Sequence, residues 1–329
     1  MTTKIAVLGC GAWATTIANH LCKNDLHVSL WAYRQEIVDE INKSHIRKKF
    51  PNVKLELNLK ASISIKETLH NASAVILCVP SKFLDQTLKL WQPYFSSDVP
   101  ILSLIKGIVS NEEMLLTNFI KNYFKNAQVA VLSGPNLAAE IILGKPAASV
   151  VAANNPQVAT LFQEFLASSM FRVYTSSDVI GVFCGGIVKN VIAIASGCCD
   201  GLDLGFNAKA TLITRGLNEM VKFGLFMGAK KETFYGLSGV GDLVATAQSP
   251  LSRNYQFGYR LAKSQLSNTP EVTFNEIAEG VSTTKKLAIF SKKNNLDLPL
   301  IQTINDVLHS SITVQDAIQK LMTRKLKEE

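Results

Sequence analysis

Several features are missing from the 329-residue sequence, and each absence excludes a class of protein. No uninterrupted apolar run approaches about 18 residues, so we predict no membrane-spanning helix. No repeat with a period of about 20–50 residues is visible, which argues against a solenoid or a propeller. Because 47% of the residues are hydrophobic and only 18% are charged, the chain is predicted to be globular. Its length is sufficient for two domains.

The placement of cysteine and histidine excludes two common chemistries. None of the six cysteines forms a C-x-x-C pair, and Cys198 and Cys199 are adjacent, which suits neither a disulfide nor a zinc site. We therefore expect buried thiols in a reducing cytoplasm, and no metal. Histidine is absent between residues 71 and 308, so an acid or base in that stretch must be another residue type. A buried lysine can do this work.

The charge distribution bears on the partner. The formal net charge is +8, but Lys and Arg are scattered apart from short clusters such as Arg47-Lys48-Lys49. Because no basic run carries interleaved aromatic residues, the pattern does not favour nucleic acid. It suits a small anionic substrate or cofactor.

A short apolar strand followed by a glycine turn opens the chain. Residues 5–8 have the pattern of a buried parallel strand, and GCGAWA at residues 9–14 matches the G-x-G-x-x-A dinucleotide fingerprint. Gly9 would allow the tight turn, Gly11 would let the backbone approach a pyrophosphate, and Ala14 would keep the next helix close. The N-terminus of that helix would face the phosphates. This turn therefore predicts a dinucleotide site.

The end of the second predicted strand, at residues 27–32, bears on the choice of dinucleotide. An NAD-specific site usually has an Asp or Glu about 20 residues after the fingerprint. Here the strand ends at Tyr33 and Arg34, and the first carboxylate after the strand is that of Glu36. Because a guanidinium can pair with a 2′-phosphate, we favour NADP(H) as the cofactor, with NAD(H) also accepted. The alternative is that Arg34 only begins a solvated helix.

Alternating patterns predict the fold class. Strand-like runs at residues 74–79, 100–104 and 129–132 are separated by helical segments, which is typical of an α/β, Rossmann-type doubly wound sheet. Further strands are predicted at residues 150–153 and 171–175. After Asp178 the apolar spacing is helical. We predict a dinucleotide-binding domain at residues 1–180 and a mostly α-helical substrate and catalytic domain at residues 181–329.

Ligands of such sheets bind beyond the carboxyl ends of the strands. Lys106 follows one of the predicted strands, and Gly134 and Asn136 lie in the loop after the next. We expect these residues to line one crevice.

A glycine-rich helix follows Asp178, which can cap it. The helix is apolar on nearly every side and should be buried. Lys189 shares a face with Gly185 and Gly186, and a buried ammonium needs a partner or a function. The glycines, which weaken a helix by up to about 1 kcal/mol each, predict close approach by another backbone or a cofactor ring. A structural lysine that extends to solvent is the alternative.

Polar residues between positions 236 and 258 complete the candidate chemistry. Asp242 directly follows a predicted flexible turn, and Thr246 shares a helix face with it. Ser252 can cap a helix that begins with Arg253 and Asn254. Such a helix start suits a phosphate monoester, although an ordinary cap is the alternative.

In these motifs, and over essentially the whole chain, the sequence resembles the bacterial NAD(P)-dependent glycerol-3-phosphate dehydrogenases. The resemblance also includes Lys189-Asn190, Asn207-Ala208-Lys209 and Glu279-Gly280. It implies a cytoplasmic oxidoreductase that reversibly reduces the small molecule dihydroxyacetone phosphate to sn-glycerol 3-phosphate with NAD(P)H, supplying glycerophospholipid synthesis.

The resemblance also implies residue roles. Lys189 matches the proton donor and acceptor, and Lys106 and Asp242 match further catalytic residues. The implied substrate contacts are Lys106, Gly134, Asn136, Lys189, Asn190, Asp242, Thr246, Ser252, Arg253 and Asn254. Together with the residues predicted from the glycine turn and the second strand, the cofactor contacts are Gly9, Gly11, Ala12, Trp13, Tyr33, Arg34, Lys106, Ala138, Arg253, Ile277 and Glu279.

The sequence departs from the family pattern at three positions. Ala14 stands where glycine is usual, and Asn136 and Leu137 replace a small hydroxyl residue and phenylalanine. Asn136 can still form hydrogen bonds, whereas Leu137 cannot stack.

The sequence leaves two alternative functions and the number of subunits undetermined. One alternative is a hydroxyacid dehydrogenase of the six-phosphogluconate type, whose substrates carry a carboxylate. The other is a nucleotide-binding sensor without catalysis. The sequence does not fix the number of subunits, and a homodimer is the assembly considered.

Overall fold

The computed structural model describes residues 3–96, 98–109, 115–267, 278–309, 312–326 and 328. The chain forms two compact units, Met1–Phe183 and Cys184–Glu329.

The first unit is built on a sheet with helices on its faces. Its strands are β1 (Lys4–Leu8), β2 (His27–Trp31), β3 (Ile46–Arg47), β4 (Phe50–Lys54), β5 (Lys60–Ser62), β6 (Ala74–Leu77), β7 (Ile101–Ser103), β8 (Val129–Ser133), β9 (Ala147–Ala153) and β10 (Phe171–Ser176). Its helices are α1 (Ala12–Lys23), α2 (Gln35–Asp39), α3 (Ile65–Leu69), α4 (Leu84–Trp91), α5 (Leu116–Tyr123), α6 (Ala138–Ile141) and α7 (Pro156–Leu166).

Eight of these strands form one sheet in the order β10-β9-β8-β7-β6-β1-β2-β5. β1 lies between β2 and β6, with Val7 opposite Leu30 on one side and Ile76 on the other, and all three side chains are fully buried. Because the chain moves outward from β1 in both directions, the carboxyl end of β1 is the switch point at which such sheets bind ligands. The predicted α/β doubly wound fold is confirmed.

Two features of the strand arrangement differ from the sequence prediction, one in the eight-stranded sheet and one that also involves the separate two-stranded sheet of β3 and β4. β9 pairs antiparallel with β8, because the four-residue α6 is too short for a crossover back to the starting edge. The edge strand β5 and the β3–β4 hairpin were not predicted, because their short, polar segments show no clear alternation.

The described part of the second unit is helical and contains no strand. Its helices are α8 (Val179–Gly201, which begins in the first unit), α9 (Gly205–Phe226), α10 (Asp242–Gln248), α11 (Arg253–Leu266), α12 (Glu279–Lys293), α13 (Pro299–His309) and α14 (Val314–Met322). Asp178 caps α8 as predicted, with its carboxylate accepting from the Gly181 N–H at 2.9 Å.

Helix α8 is the apolar centre of this region. By length and composition it could cross a membrane, but 89% of its most apolar 18-residue window is buried inside the protein, as in a core helix. α8 and α11 approach backbone to backbone. A Cβ added to Gly258 would lie 1.8 Å from the Ile194 carbonyl oxygen, and one added to Gly197 would lie 2.0 Å from that of Tyr255. The glycines therefore fix the position of α11 against α8.

Candidate active site

A buried ion pair lies at the centre of the second unit. The Lys189 ammonium on α8 donates to the Asp242 carboxylate at 2.5 Å and to the Thr246 hydroxyl at 2.8 Å. The Thr246 hydroxyl also donates to the same carboxylate oxygen at 3.2 Å. Lys189 is 7% exposed and Asp242 is fully buried, so the predicted burial of Lys189 is confirmed. The adjacent carboxylate stabilises the ammonium form, which is the form that can donate a proton.

Glycine brings the two halves of this cluster together. A Cβ on Gly185 would lie 2.2 Å from the Ser238 carbonyl oxygen, so only glycine lets α8 approach the segment that precedes Asp242. The prediction of close backbone approach is confirmed at this glycine. The prediction of a flexible turn before Asp242 is wrong, because Leu237–Gly241 is a π-helical turn that continues directly into α10. Asp242 therefore stands on a continuous helical segment.

A second polar chain runs beside the ion pair. The Asn254 side chain donates to the Asn190 side-chain oxygen at 2.9 Å and accepts from the Gly280 N–H at 3.0 Å. Gly280 follows Glu279 at the start of α12 and packs closely on Asn190, since a Cβ there would lie 2.7 Å from its carbonyl oxygen. The starts of α11 and α12 thus meet at Asn190, next to Lys189 in the chain.

The start of α11 carries the predicted phosphate residues. Ser252 caps the helix as predicted, its hydroxyl accepting from the Tyr255 N–H at 3.3 Å. Arg253 is exposed and lines a pocket of about 160 Å³, which Arg260 also lines two turns further along the helix. Two guanidinium groups beside a helix N-terminus form a positive surface that suits an anion.

The glycine turn of the first unit has the geometry that a dinucleotide requires. Gly9 has φ +127°, and a Cβ there would lie 2.2 Å from the Cys78 carbonyl oxygen, so this position requires glycine. Gly11 is different, because a Cβ there would meet no protein atom within 4 Å. Packing within the protein therefore does not explain Gly11, and the space beside it is open. Gly11 caps α1 with no side-chain hydrogen bond, which leaves the first N–H groups for a ligand.

The other predicted cofactor residues of this unit lie around the turn. Tyr33 and Arg34 follow β2, and the Arg34 guanidinium lies 5.0 Å from the centre of the Tyr33 ring. Ala138 begins α6, and its carbonyl oxygen accepts from Thr16 on α1 at 3.3 Å. Trp13 has a buried indole N–H without a hydrogen-bond partner among the residues that the structure describes.

Lys106, Gly134 and Asn136 are brought together, as their strand-end positions suggested. The Lys106 ammonium donates to the Gly134 carbonyl oxygen at 3.1 Å. Gly134 has φ +147° and packs on Ser149, whose hydroxyl donates to the Asn136 side-chain oxygen at 2.6 Å. This hydrogen bond ties the Asn136 side chain to β9.

One predicted residue lies outside the described part of the chain, and two residues near the sites were not predicted. Ile277 lies outside the described residues. Arg47 belongs to a short basic cluster in the sequence, and nothing in that cluster predicted that its side chain is buried and bonded to the glycine turn. Asp200 was also missed. It accepts from Lys209 at 2.6 Å and from the Tyr255 hydroxyl at 2.5 Å, and the pKa of Tyr255 is raised by burial and by this bond.

No group of three or more metal-binding side chains occurs among the residues that the structure describes. All six cysteines are free thiols.

Comparison with solved structures identifies the class of protein first. The chain matches a crystal structure of glycerol-3-phosphate dehydrogenase from Coxiella burnetii with a TM-score of 0.91 and 34% identity, covering 98% of this chain and 99% of that one. A Rossmann-type sheet followed by a helical unit is therefore, in this chain, the architecture of a dehydrogenase.

Comparison of sequences gives the family. The models of the NAD-dependent glycerol-3-phosphate dehydrogenase N-terminus and C-terminus match residues 4–159 and 178–319. A glycerol-3-phosphate dehydrogenase [NAD(P)+] of Corynebacterium glutamicum is 40% identical over 99% of each chain. The corresponding protein of Bacillus pumilus is 39% identical over 98% of this chain and 94% of its own. The chain belongs to the NAD-dependent glycerol-3-phosphate dehydrogenase family, whose members are NAD(P)-dependent oxidoreductases.

Proposed function

We propose that this protein catalyses the reversible, NAD(P)H-dependent reduction of dihydroxyacetone phosphate to sn-glycerol 3-phosphate. The observation that carries the proposal is the buried Lys189–Asp242–Thr246 cluster in a chain of this family. In this proposal residues 1–180 bind the dinucleotide, and residues 181–329 bind the substrate and supply the proton.

Lys189 is the proton donor of the proposed reaction. NAD(P)H, when bound, supplies the hydride that adds to the carbonyl carbon. The Lys189 ammonium gives its proton to the carbonyl oxygen, which becomes the new hydroxyl, and the resulting amine later takes a proton from solvent. In the reverse direction the neutral amine accepts the hydroxyl proton.

Asp242 and Thr246 hold this ammonium in place. Asp242 offsets the positive charge that burial would otherwise make costly, and the Thr246 hydroxyl accepts a second N–H bond. These two bonds fix the position and orientation of the ammonium from which the proton is donated in the proposed reaction. Asn190, held by Asn254, offers a further polar group beside it.

The phosphate of the substrate would bind at the start of α11. Arg253 supplies a guanidinium that matches phosphate geometry, and Ser252 and Asn254 flank it in the first turn. Because α11 is packed on α8 through glycine, the phosphate residues and Lys189 are held on adjoining helices.

Lys106, Gly134 and Asn136 form the substrate residues of the first unit in this proposal. The Lys106 ammonium stabilises the negative charge that develops on the carbonyl oxygen. Its bond to the Gly134 carbonyl oxygen limits the positions that it can take.

We propose NADP(H) as the favoured cofactor and NAD(H) as an accepted one. The glycine turn fits a pyrophosphate, and the strand end beside it carries Arg34 and no carboxylate. The remaining contacts are proposed from the family resemblance: Ala12, Trp13, Tyr33, Lys106, Ala138, Arg253, Ile277 and Glu279.

The setting of the reaction is also a proposal. Six free thiols are typical of a reducing compartment, which supports a cytoplasmic enzyme that supplies glycerophospholipid synthesis. A homodimer is proposed because large apolar side chains are exposed on α9, where Phe206 is 91% exposed and Phe226 is 49% exposed.

Purified protein with NADPH provides the test. Adding dihydroxyacetone phosphate should cause NADPH absorbance to fall, whereas a 3-oxo acid with NADPH, or a 3-hydroxy acid with NADP+, should give no turnover. Turnover of the hydroxy acid alone would favour the hydroxyacid dehydrogenase alternative. Dinucleotide binding without turnover of either substrate would favour the sensor.

A further inference from the structure

The segment between β2 and β5 places a buried arginine against the glycine turn. Arg47, on β3, is 4% exposed, and its Nη2 donates to the Cys10 carbonyl oxygen at 3.0 Å. Cys10 is the residue between Gly9 and Gly11. An arginine is seldom buried unless it is paired, so the surroundings of Arg47 need an explanation.

Several bonds fix the position of this guanidinium. Its Nη1 is paired with the Glu40 carboxylate, which also accepts from the Lys48 N–H at 3.3 Å. Glu40 begins the π-helical turn Glu40–Ser44, which is followed by His45 at φ +54°. In that turn the Asn42 side chain donates to the Ala61 carbonyl oxygen and accepts from its N–H, both at 2.8 Å, which ties the turn to β5. The edge strand β5 thus fixes the turn that carries Glu40, and Glu40 fixes the Arg47 guanidinium.

The geometry of the peptide bond transmits this constraint to the helix start. In a planar trans peptide the carbonyl and the next N–H point in opposite directions. Since the Cys10 carbonyl points to Arg47, the Gly11 N–H points away from it, at the start of α1. There the first N–H groups have no side-chain cap, and a Cβ on Gly11 would meet no protein atom.

Positive charge gathers at the same place. Burial raises the pKa of the Cys10 thiol, while a backbone hydrogen bond from Tyr33 and the charges of Arg47, Arg34 and Lys49 oppose that rise. Of these cations, Arg47 is the one that is bonded to the turn itself.

We propose that Arg47, anchored by Glu40, is a positioning residue that orients the Cys10–Gly11 peptide so that its N–H can bind the pyrophosphate of the dinucleotide. The assignment rests on the proposed function, because it concerns the same cofactor site. NADH and NADPH share the pyrophosphate and differ only in the 2′-phosphate. Arg47 therefore contributes equally to the binding of both, unlike Arg34.

The test measures Kd for NADH and for NADPH in the wild type and in Arg47→Gln. Loss of a hydrogen bond to a charged group predicts a Kd increase of about tenfold or more, by the same factor for both dinucleotides. Kd for 2′-AMP, which has no pyrophosphate, should stay within about twofold, as should kcat and the KM for dihydroxyacetone phosphate at saturating NADPH. A purely structural role would not separate these ligands.

Two further variants control for folding and charge. Arg47→Lys keeps the charge but cannot bond Glu40 and Cys10 together, so it should show a smaller loss in the same direction if Arg47→Gln does not fold. Arg172→Gln removes the same charge from an exposed side chain on β10 and should leave every Kd unchanged. Wild-type affinities in both Arg47 variants, or a loss confined to NADPH, would overturn the assignment. A wild type that binds neither dinucleotide would overturn the proposed function as well.

Discussion

Replacing Asp242 by asparagine tests the role of the buried ion pair. Asp242→Asn keeps an acceptor oxygen near Lys189 but removes the charge that balances an ammonium that is only 7% exposed. Breaking a buried pair typically costs about 3–5 kcal/mol, and the retained acceptor places the expected loss of unfolding free energy near the lower value, about 3 kcal/mol. The matched control is Asp306→Asn, which breaks the more exposed pair with Lys320 and should cost less than about 1 kcal/mol.

The same variant should change catalysis in a particular way. Without its counter-charge, Lys189 loses its proton more readily, so the ammonium needed for reduction is depleted near neutral pH. We expect kcat for the reduction of dihydroxyacetone phosphate to fall about 100-fold near neutral pH, with partial recovery at lower pH. NADPH oxidation across a pH series, with urea unfolding of the same samples, measures both effects. Wild-type kcat with an unchanged pH profile would refute the reasoning.

Three further predictions concern other residues. Glu219 is buried and accepts from two N–H groups at the start of α13, and burial raises its pKa from 4.5 to about 7. Between these pH values the native state holds a proton that the unfolded state has lost, so the free energy of unfolding should fall by about 3 kcal/mol as pH rises from about 4.5 to 7. Urea titrations of Glu219→Gln should show a weaker dependence of unfolding free energy on pH. The same pH dependence in this variant as in the wild type would contradict the prediction. Arg34→Asp should lower the NADPH-to-NADH ratio of kcat/KM about tenfold or more through repulsion of the 2′-phosphate, and a wild type that strongly favours NADH would contradict the interpretation of this strand end. Arg253→Ala should raise the KM for dihydroxyacetone phosphate and lower kcat/KM about 10- to 150-fold, with partial recovery in Arg253→Lys, whereas equal losses with unphosphorylated dihydroxyacetone would place Arg253 elsewhere.

The sequence was sufficient to predict the features that depend on local pattern. The apolar runs gave the central strands, and the helical spacing of Asp242 and Thr246 gave a shared face. The buried Lys189 was found because an apolar helix leaves a charged side chain without solvent.

Features that depend on distant contacts were not predictable in the same way. Nothing in the letters Arg47-Lys48-Lys49 distinguishes the buried arginine from its neighbours, because its partner Glu40 and its contact Cys10 are set by the path of the chain. The antiparallel pairing of β9 with β8 depends on the shortness of α6, and a difference of a few residues in that helix decides whether the pairing is parallel or antiparallel. The π-helical turn before Asp242 was interpreted as a loop because three glycines in seven residues favour a turn.

The central claim is that Lys189 donates the proton to dihydroxyacetone phosphate, and kcat of Lys189→Ala measured with the Kd for NADPH tests it most directly. The account predicts that turnover at saturating substrate falls about 100-fold or more while the Kd for NADPH stays close to the wild-type value. Near-normal turnover at saturating substrate would contradict the account.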